Sequence, residues 1–360
     1  VPRGTLESVS IKKGNIMHRA IIEKPFEWQI DLKSGEYWLE DHNSAELLWA
    51  SRGFGDCKLV ETNRPQVHSR DWKAGDEVLF VRVGGFGDLI WMNSIYQELR
   101  ETRGIKVAHC CFERYAPVLD GFVDRVVPYP LSAETADIYL DGRLVWLENV
   151  IEKRECVDGE HPTDRIRLFL GLPRSEKRNA YLLKDEEKKW AREKWPRNGK
   201  SRIAVQLASS TPIKNYRHLP ATLGLLNRKG YELVLIGGKR DPEELPDGVM
   251  DGTQLGWTVR ESIAMAGECD VVLGADSFLL HVADALGIPA VGLFGDFHGE
   301  SYMKGYKGEP IQGTDNCSPC SWHPRGNAFP PFCPSKERGF CLALAKRSPE
   351  YIVTVVERYL

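Results

Sequence analysis

Three short clusters in this chain combine glycine, hydroxyl, carboxylate and lysine in patterns that suit phosphate binding and acid–base chemistry. Gly84-Gly85-Phe86-Gly87-Asp88 closes the apolar run 77–83 and leads into an amphipathic stretch that reaches about Arg100. Glycines at such a turn let backbone approach a ligand, and the amides of a following helix favour negative charge. Asp88 then has two open readings, a helix cap or a carboxylate that serves as general base. The second cluster is Ser209-Ser210-Thr211-Pro212-Ile213-Lys214-Asn215-Tyr216. Hydroxyls beside one lysine suit a diphosphate, since the hydroxyls donate and the ammonium is a compact cation; a polar surface turn is the alternative. The third runs through Asp276-Ser277-Phe278-Leu279 into a stretch carrying His281. Free amides at a helix start can hold phosphate, although Asp276 and Ser277 could equally cap and His281 could pack inside. Arg52-Gly53-Phe54-Gly55-Asp56 repeats the first string without a strand–helix context and is set aside.

The elements that must position these clusters are parallel βαβ units. Runs at 77–83, 106–112, 125–131 and 143–150 read as strands of one half, and 202–207, 232–238, 270–275 and 290–295 as strands of a second. Continuous apolar strands feeding glycine turns and helices mark a sheet buried on both faces. Helices are expected at 220–228, 259–268 and 279–286, and Ser348-Pro349 opens a terminal one. The charged segment 184–200 reads as an exposed helix plus linker. Residues 5–70 alternate in short stretches and read as a small β-rich extension, after a Val1-Pro2-Arg3-Gly4 opening that resembles the remnant of a cleavable tag. The fold class expected is α/β, with two facing Rossmann-like domains and this extension. The divisions are 1–70, 71–190, 191–345 and a terminal helix at 346–360. Ligands in such sheets bind beyond the carboxyl ends of the strands, so the three clusters face one cleft.

Composition narrows the function. At 360 residues the chain is long enough for two domains, with 42% hydrophobic and 28% charged residues. A net charge of −3 argues against non-specific coating of nucleic acid. No apolar run approaches the roughly 18–20 residues of a membrane span, and no charged-then-apolar leader opens the sequence, so a cytoplasmic location is expected. The cysteines number nine, and Cys57, Cys110, Cys111, Cys156 and Cys269 are scattered, as in a reduced protein.

Taken together, the clusters resemble glycosyltransferase family 9, the heptosyltransferases of lipopolysaccharide core synthesis, over roughly residues 77–360. The markers are Gly87-Asp88, the hydroxyl pair with Lys214 and Tyr216, Asp276-Ser277 with His281, and the Cys317-Ser318-Pro319-Cys320 region. The resemblance implies a GT-B architecture with an acceptor-binding first domain and a donor-binding second domain. It implies Asp88 as base beside the acceptor-side loop Gly84, Gly85, Phe86 and Gly87, and Lys214 on the donor phosphates. Ser209, Ser210, Tyr216, Asp276, Ser277, Phe278, Leu279 and His281 would bind the donor, and the terminal helix would cross back to the first domain. Two features depart from the family: Phe278 stands where a glycine is usual, and the extension precedes a strand with which heptosyltransferases nearly begin.

The chemistry expected is inverting, metal-independent transfer from a nucleotide-diphosphate sugar, with no cofactor needed for catalysis. A carboxylate base and a preorganised anion site would suffice, and no Asp-x-Asp pair occurs to bridge a metal. Asp241, Glu243 and Glu244 could reach a ribose or form a solvated turn. Cys317, Cys320, Cys333 and Cys341 are a candidate structural zinc site, with reduced core cysteines and disulfides as alternatives. The acceptor stays open between a glycan and, for a phage-type enzyme, modified DNA bases. Trp28, Trp38, Trp49 and Trp72 could line an acceptor face or fill a core. A sugar-nucleotide epimerase or hydrolase and an inactive donor-binding module are the competing classes. The oligomeric state is left open.

Overall fold

In this computed structural model the described residues are 16–22, 26–27, 31–32, 35–39, 57–63, 71–148, 150, 160–206, 209, 212–238, 245–320, 333, 335 and 338–360. Ser210, Asp241, Glu243, Glu244, Trp28, Trp49, Cys156 and the string at 52–56 lie outside them.

The extension forms β-strands, as its alternation indicates. Strands β1 (Ile16–Ile22), β4 (Gly35–Leu39) and β5 (Cys57–Asn63) pair antiparallel, with a short hairpin of β2 (Phe26–Glu27) and β3 (Asp31–Leu32) between them. The first domain supplies β6 (Glu77–Val81), β7 (Lys106–Cys111), β8 (Arg125–Pro128), β9 (Leu131–Ser132) and β10 (Leu144–Trp146). β9 pairs with β4, so the extension is fastened to the first domain through a shared sheet edge. The order β10-β6-β7-β8 is parallel throughout, and β6 sits where the strand order reverses. The second domain is a six-stranded parallel sheet, ordered β13-β12-β11-β14-β15-β16. Its strands are β11 (Arg202–Gln206), β12 (Glu232–Leu235), β13 (Met250–Asp251), β14 (Val271–Ala275), β15 (Ala290–Phe294) and β16 (Gly308–Gln312). Here β11 is the reversal point. Clefts open at such points, and β6 and β11 are the strands that feed the first two clusters.

The helices that matter for the site are α1 (Phe86–Arg103), α2 (Pro162–Phe169), α3 (Asp185–Lys194), α4 (Leu219–Arg228), α5 (Val259–Ala266), α6 (Phe278–Leu286) and α7 (Pro349–Val356). α1 is buried along most of its circumference, from Leu89 to Tyr96. One side lies on the first sheet, where Tyr96 meets Phe80 with ring centroids 5.0 Å apart. Another meets α6 of the second domain. One apolar cluster therefore runs through Phe80, Leu89 and Trp91 to Leu279 and Val282. α5 carries a capping box in which Thr258 and Glu261 exchange bonds, the arrangement that fixes a helix start.

Two packing relations differ from the sequence reading. The charged segment's helix α3 is largely exposed, as read, but it also packs on α5, with Ala191 buried and Trp190 edge-on to Trp257 at 5.7 Å. The terminal helix α7 does not follow the expected crossing back. Its Ile352, Val353, Val355 and Val356 are buried in the second domain's core against α4, because all four fall on one helical face.

Gly308 starts β16 at φ 111°, and a Cβ there would collide with the carbonyl oxygen of Ala290 on the paired strand. Substitution Gly308→Ala adds left-handed strain to a backbone clash. It is expected to cost more than about 2 kcal/mol, read as a lowered urea midpoint; a midpoint like the wild type's would contradict this packing.

Candidate active site

The first-domain side of the site is built around Arg82, which leaves β6 and is 3% exposed. Its Nη2 donates to Asp88 Oδ1 at 2.8 Å, and its Nη1 lies 3.7 Å from Glu148 Oε2. Glu148 Oε1 in turn accepts from the Val83 amide. Asp88 sits in the first turn of α1 with its side chain 21% exposed. The carboxylate is thus oriented by a buried guanidinium whose charge Glu148 also balances, while remaining open to solvent. Gly84 makes room for it, since a Cβ there would collide with the Asp88 carboxylate.

Lys214 organises the second-domain side. A 3₁₀ turn at Pro212–Lys214 follows β11 and delivers the ammonium to the end of β14. There Nζ donates to Asp276 Oδ2 at 2.7 Å and to the Asp276 carbonyl at 3.1 Å. It also lies 5.2 Å from the centre of the Phe297 ring. Burial works against this charge, and Asp276, Asp296 and, from farther off, Asp88 outweigh it, so the Lys214 pKa lies above that of an ordinary lysine. The magnitudes agree: at an effective dielectric of about 20, a carboxylate at this range contributes roughly 6 kcal/mol, comparable with the several kcal/mol of desolvation.

Asp296 follows β15 and is fully buried, with the backbone amides of Asp296 and Phe297 acting on its carboxylate. Burial pushes its pKa up to about 6; Lys214 opposes that rise and Asp276 adds to it. Between these groups, Ser277 precedes α6 and accepts a bond from Gln206 Nε2 at 2.8 Å. The amides that open α6 therefore have no side-chain cap from Ser277 and remain suited to an anion.

The two sides meet closely. A Cβ on Gly87 would sit 2.7 Å from His281 Cδ2 and 3.5 Å from the Phe278 Cα, so glycine is what lets α1 reach α6. Phe278 packs against Phe86 at 5.9 Å between ring centroids, and Phe86 meets Tyr115 at 4.9 Å. The large residue at position 278 thus forms an aromatic bridge from the donor-side turn to the acceptor-side loop. His281 is 4% exposed, and burial pushes its pKa down to about 4, against the pull of Asp276 and Asp88.

Asp88, Lys214, Asp276, Ser277, Phe278 and His281 therefore converge, with Gly84, Gly85, Phe86 and Gly87 forming the opposing loop. Ser209 lies beside them, its amide donating to Asn215 Oδ1 at 3.1 Å. Two expected donor contacts do not face this space. Tyr216 is buried in the second core and donates to the Arg347 carbonyl at 2.7 Å. Leu279 is buried in the interdomain cluster; only its backbone can serve. Among the described residues no three His, Cys, Asp or Glu side chains gather to hold a metal ion. Of the candidate zinc ligands Cys317, Cys320, Cys333 and Cys341, the last is buried beside Gly295, near enough for Cys317 to act on it, while Cys317 is exposed. Arg82, Glu148 and Asp296 are additions. For Asp296 a signal was available, since Gly295-Asp296 repeats at the end of β15 the Gly-Asp pair that marks Asp88.

Because the folded pKa of Asp296 is raised, its contribution to stability is full below the unfolded carboxylate value and is lost as pH rises through about 6. Asp296→Asn removes that loss. The stability of the variant relative to the wild type should rise by up to about 3 kcal/mol between pH 4 and pH 7.5. Urea unfolding at several pH values reads this, and a flat difference would contradict the buried-anion assignment.

Residues 161–320 match the model of glycosyltransferase family 9 (heptosyltransferase). No curated protein sequence matches the chain at a significant level. Several solved structures share its fold, three of which follow. The iron-containing dodecameric glycosyltransferase TibC from enterotoxigenic E. coli H10407 aligns at TM-score 0.60 and 12% identity, over 97% of this chain and 92% of that one. The ADP-heptose lipopolysaccharide heptosyltransferase II of E. coli aligns at 0.54 and 13%, over 79% and 98%. A family 9 glycosyltransferase from Veillonella parvula aligns at 0.59 and 15%, over 81% and 98%. Two parallel-stranded domains facing across one site give the chain the GT-B fold of these structures, and its residues 161–320 are similar to glycosyltransferase family 9 (heptosyltransferase).

Proposed function

We propose that this protein moves a sugar from a nucleotide-diphosphate sugar to an acceptor hydroxyl with inversion at the anomeric carbon, and that the reaction needs no metal. The observation that carries this reading is the juxtaposition of an oriented, solvent-accessible carboxylate with a half-buried lysine. Asp88 and Lys214 come from reversal-point strands of facing domains, close enough for the charge of Asp88 to act on Lys214. The first domain takes the acceptor and the second takes the donor.

In this mechanism Asp88 accepts the proton of the attacking hydroxyl, while Arg82 keeps the carboxylate aimed. The oxygen forms its bond to the anomeric carbon on the face opposite the departing diphosphate. Charge developing on that leaving group is met by Lys214, the amides opening α6 and the hydroxyls of Ser209 and Ser277. These groups are in place before reaction, which is where such sites obtain most of their effect. Lys214 and the helix amides perform the charge neutralisation that a metal ion would otherwise supply. TibC is described as iron-containing; no step here is assigned to a metal.

The donor class is supported by a TibC structure, similar at TM-score 0.60, that was solved with ADP-D-beta-D-heptose. ADP-sugars are therefore the first donors to test, with a glycan hydroxyl as the favoured acceptor.

Asp88→Asn should lower kcat by at least about 10³-fold, as expected for loss of a general base plus its orientation, while the Kd for the donor changes less than about threefold. Turnover like the wild type's would end the assignment of the base. Chelation with EDTA should leave the wild-type rate unchanged, and a loss restored by added metal would contradict the metal-free reading.

A further inference from the structure

His281 sits at the fourth position of α6, and the hydrogen bonds around its ring come from both domains. Trp91 Nε1 of α1 lies 3.2 Å from His281 Nδ1, and the Tyr306 hydroxyl lies 2.8 Å from the same atom. Tyr306 accepts from Asn179 Nδ2 at 2.7 Å, and its hydroxyl can still either donate to Nδ1 or accept from it, so it follows the tautomer and does not set it. An indole N–H can only donate, so Nδ1 must present its lone pair. The imidazole then carries its single proton on Nε2. Protonation of both nitrogens is disfavoured as well, since it would set Nδ1–H against the indole N–H. No described protein group bonds Nε2. That edge of the ring faces the Gly87 turn, where a Cβ would stand 3.3 Å from Nε2, and the charges of Asp88, Asp276 and Lys214 all act on it.

We propose that Trp91, a first-domain residue, is a positioning residue that locks His281 in its Nε2–H tautomer and so presets a hydrogen-bond donor to an oxygen of the nucleotide-diphosphate sugar. The donor-binding turn of the second domain is thereby completed by the first. This rests on the reading of residues 276–278 as the donor site. The neutral ring at physiological pH, its pKa held near 4 by burial, keeps the donor available over the working range. Trp91 also explains why α1 and α6 must approach as closely as Gly87 allows. A wider separation would break the indole bond, free Nδ1 to take the proton and leave Nε2 an acceptor facing an anion.

The test is nitrogen-15 NMR on the full chain labelled at histidine, with the His281 signals assigned by their loss in His281→Gln. The wild type should show a protonated Nε2 and an unprotonated Nδ1 from pH 6 to 8. Trp91→Phe, which keeps an aromatic ring but removes the indole donor, should show a mixture of tautomers. Its kcat should fall roughly tenfold or more, part of the 10²–10³ that loss of a preset donor costs. In a His281→Gln background the side chain always carries an N–H, so adding Trp91→Phe should change kcat by less than about twofold. An Nδ1–H tautomer in the wild type, or an equal cost of Trp91→Phe in both backgrounds, would overturn the lock. Titration with ADP, UDP, GDP and CDP separates the two claims. A nucleotide that raises the melting temperature but leaves the Nε2 signal unmoved overturns the proposal. If none of the four binds while the Nε2–H tautomer is present, the donor-site reading fails and the lock stands.

Discussion

The arrangement depends on one half-buried cation. Lys214 is drawn to the end of β14 by Asp276, and a second carboxylate, Asp296, stands buried nearby. An ammonium cannot be taken from water without a nearby anion, since the desolvation cost amounts to several kcal/mol. Two carboxylates around one lysine overcompensate it, leaving a local excess of negative charge. That excess explains the raised pKa of Lys214, while burial is the main cause of the rise at Asp296, to which Asp276 adds. It also means that a diphosphate entering the site must draw Lys214 from Asp276 or share it, with the amides of α6 as the neighbouring source of positive potential. The strand order follows the same logic: β11 and β14 are adjacent, so the turns carrying Lys214 and Asp276 open side by side.

The second constraint is the closeness of the two domains. The apolar cluster that joins them leaves little freedom at the α1–α6 contact, and Gly87 is the residue that permits it. The aromatic bridge from Phe278 through Phe86 to Tyr115 adds contacts that a glycine at position 278 could not make. At the opposite edge Arg260 of α5 pairs with Glu187 of α3 at 2.5 Å and donates to the Pro117 carbonyl of the first domain at 2.9 Å. The candidate-site groups borne by separate domains are thus held in register by packing and by ion pairs.

Much of this was legible in the sequence, for reasons that can be named. Parallel strands buried on both faces leave continuous apolar runs, and the glycine turns after them mark where a ligand can approach. That is why 77–83, 202–207, 270–275 and 290–295 foreshadow β6, β11, β14 and β15 to within two residues or so. The same signal singles out Asp88, Lys214 and Asp276, which the fold brings to one cleft. Tyr216 was misassigned because adjacency to Lys214 in sequence says nothing of direction; its ring turns inward and its hydroxyl finds the Arg347 carbonyl. Arg82 and Glu148 were missed because a charged residue at the end of an apolar run looks like a strand terminus, and their pairing spans 66 positions that only the fold brings together. Trp91 reads as core in any helical pattern, and only the atom its indole faces gives it a further role. The packing of α3 and α7 was out of reach for a related reason, since an amphipathic face does not name its partner.

The account stands most directly on Lys214 as the cation that meets the donor diphosphate. Isothermal titration of ADP and of an ADP-sugar into the wild type and into Lys214→Gln, each first shown to be folded by its own cooperative melt, measures this claim. The prediction is a loss of at least about 30-fold in affinity for both ligands, the scale of one charge-assisted contact of about 2 kcal/mol. Equal affinity in the two proteins would contradict it.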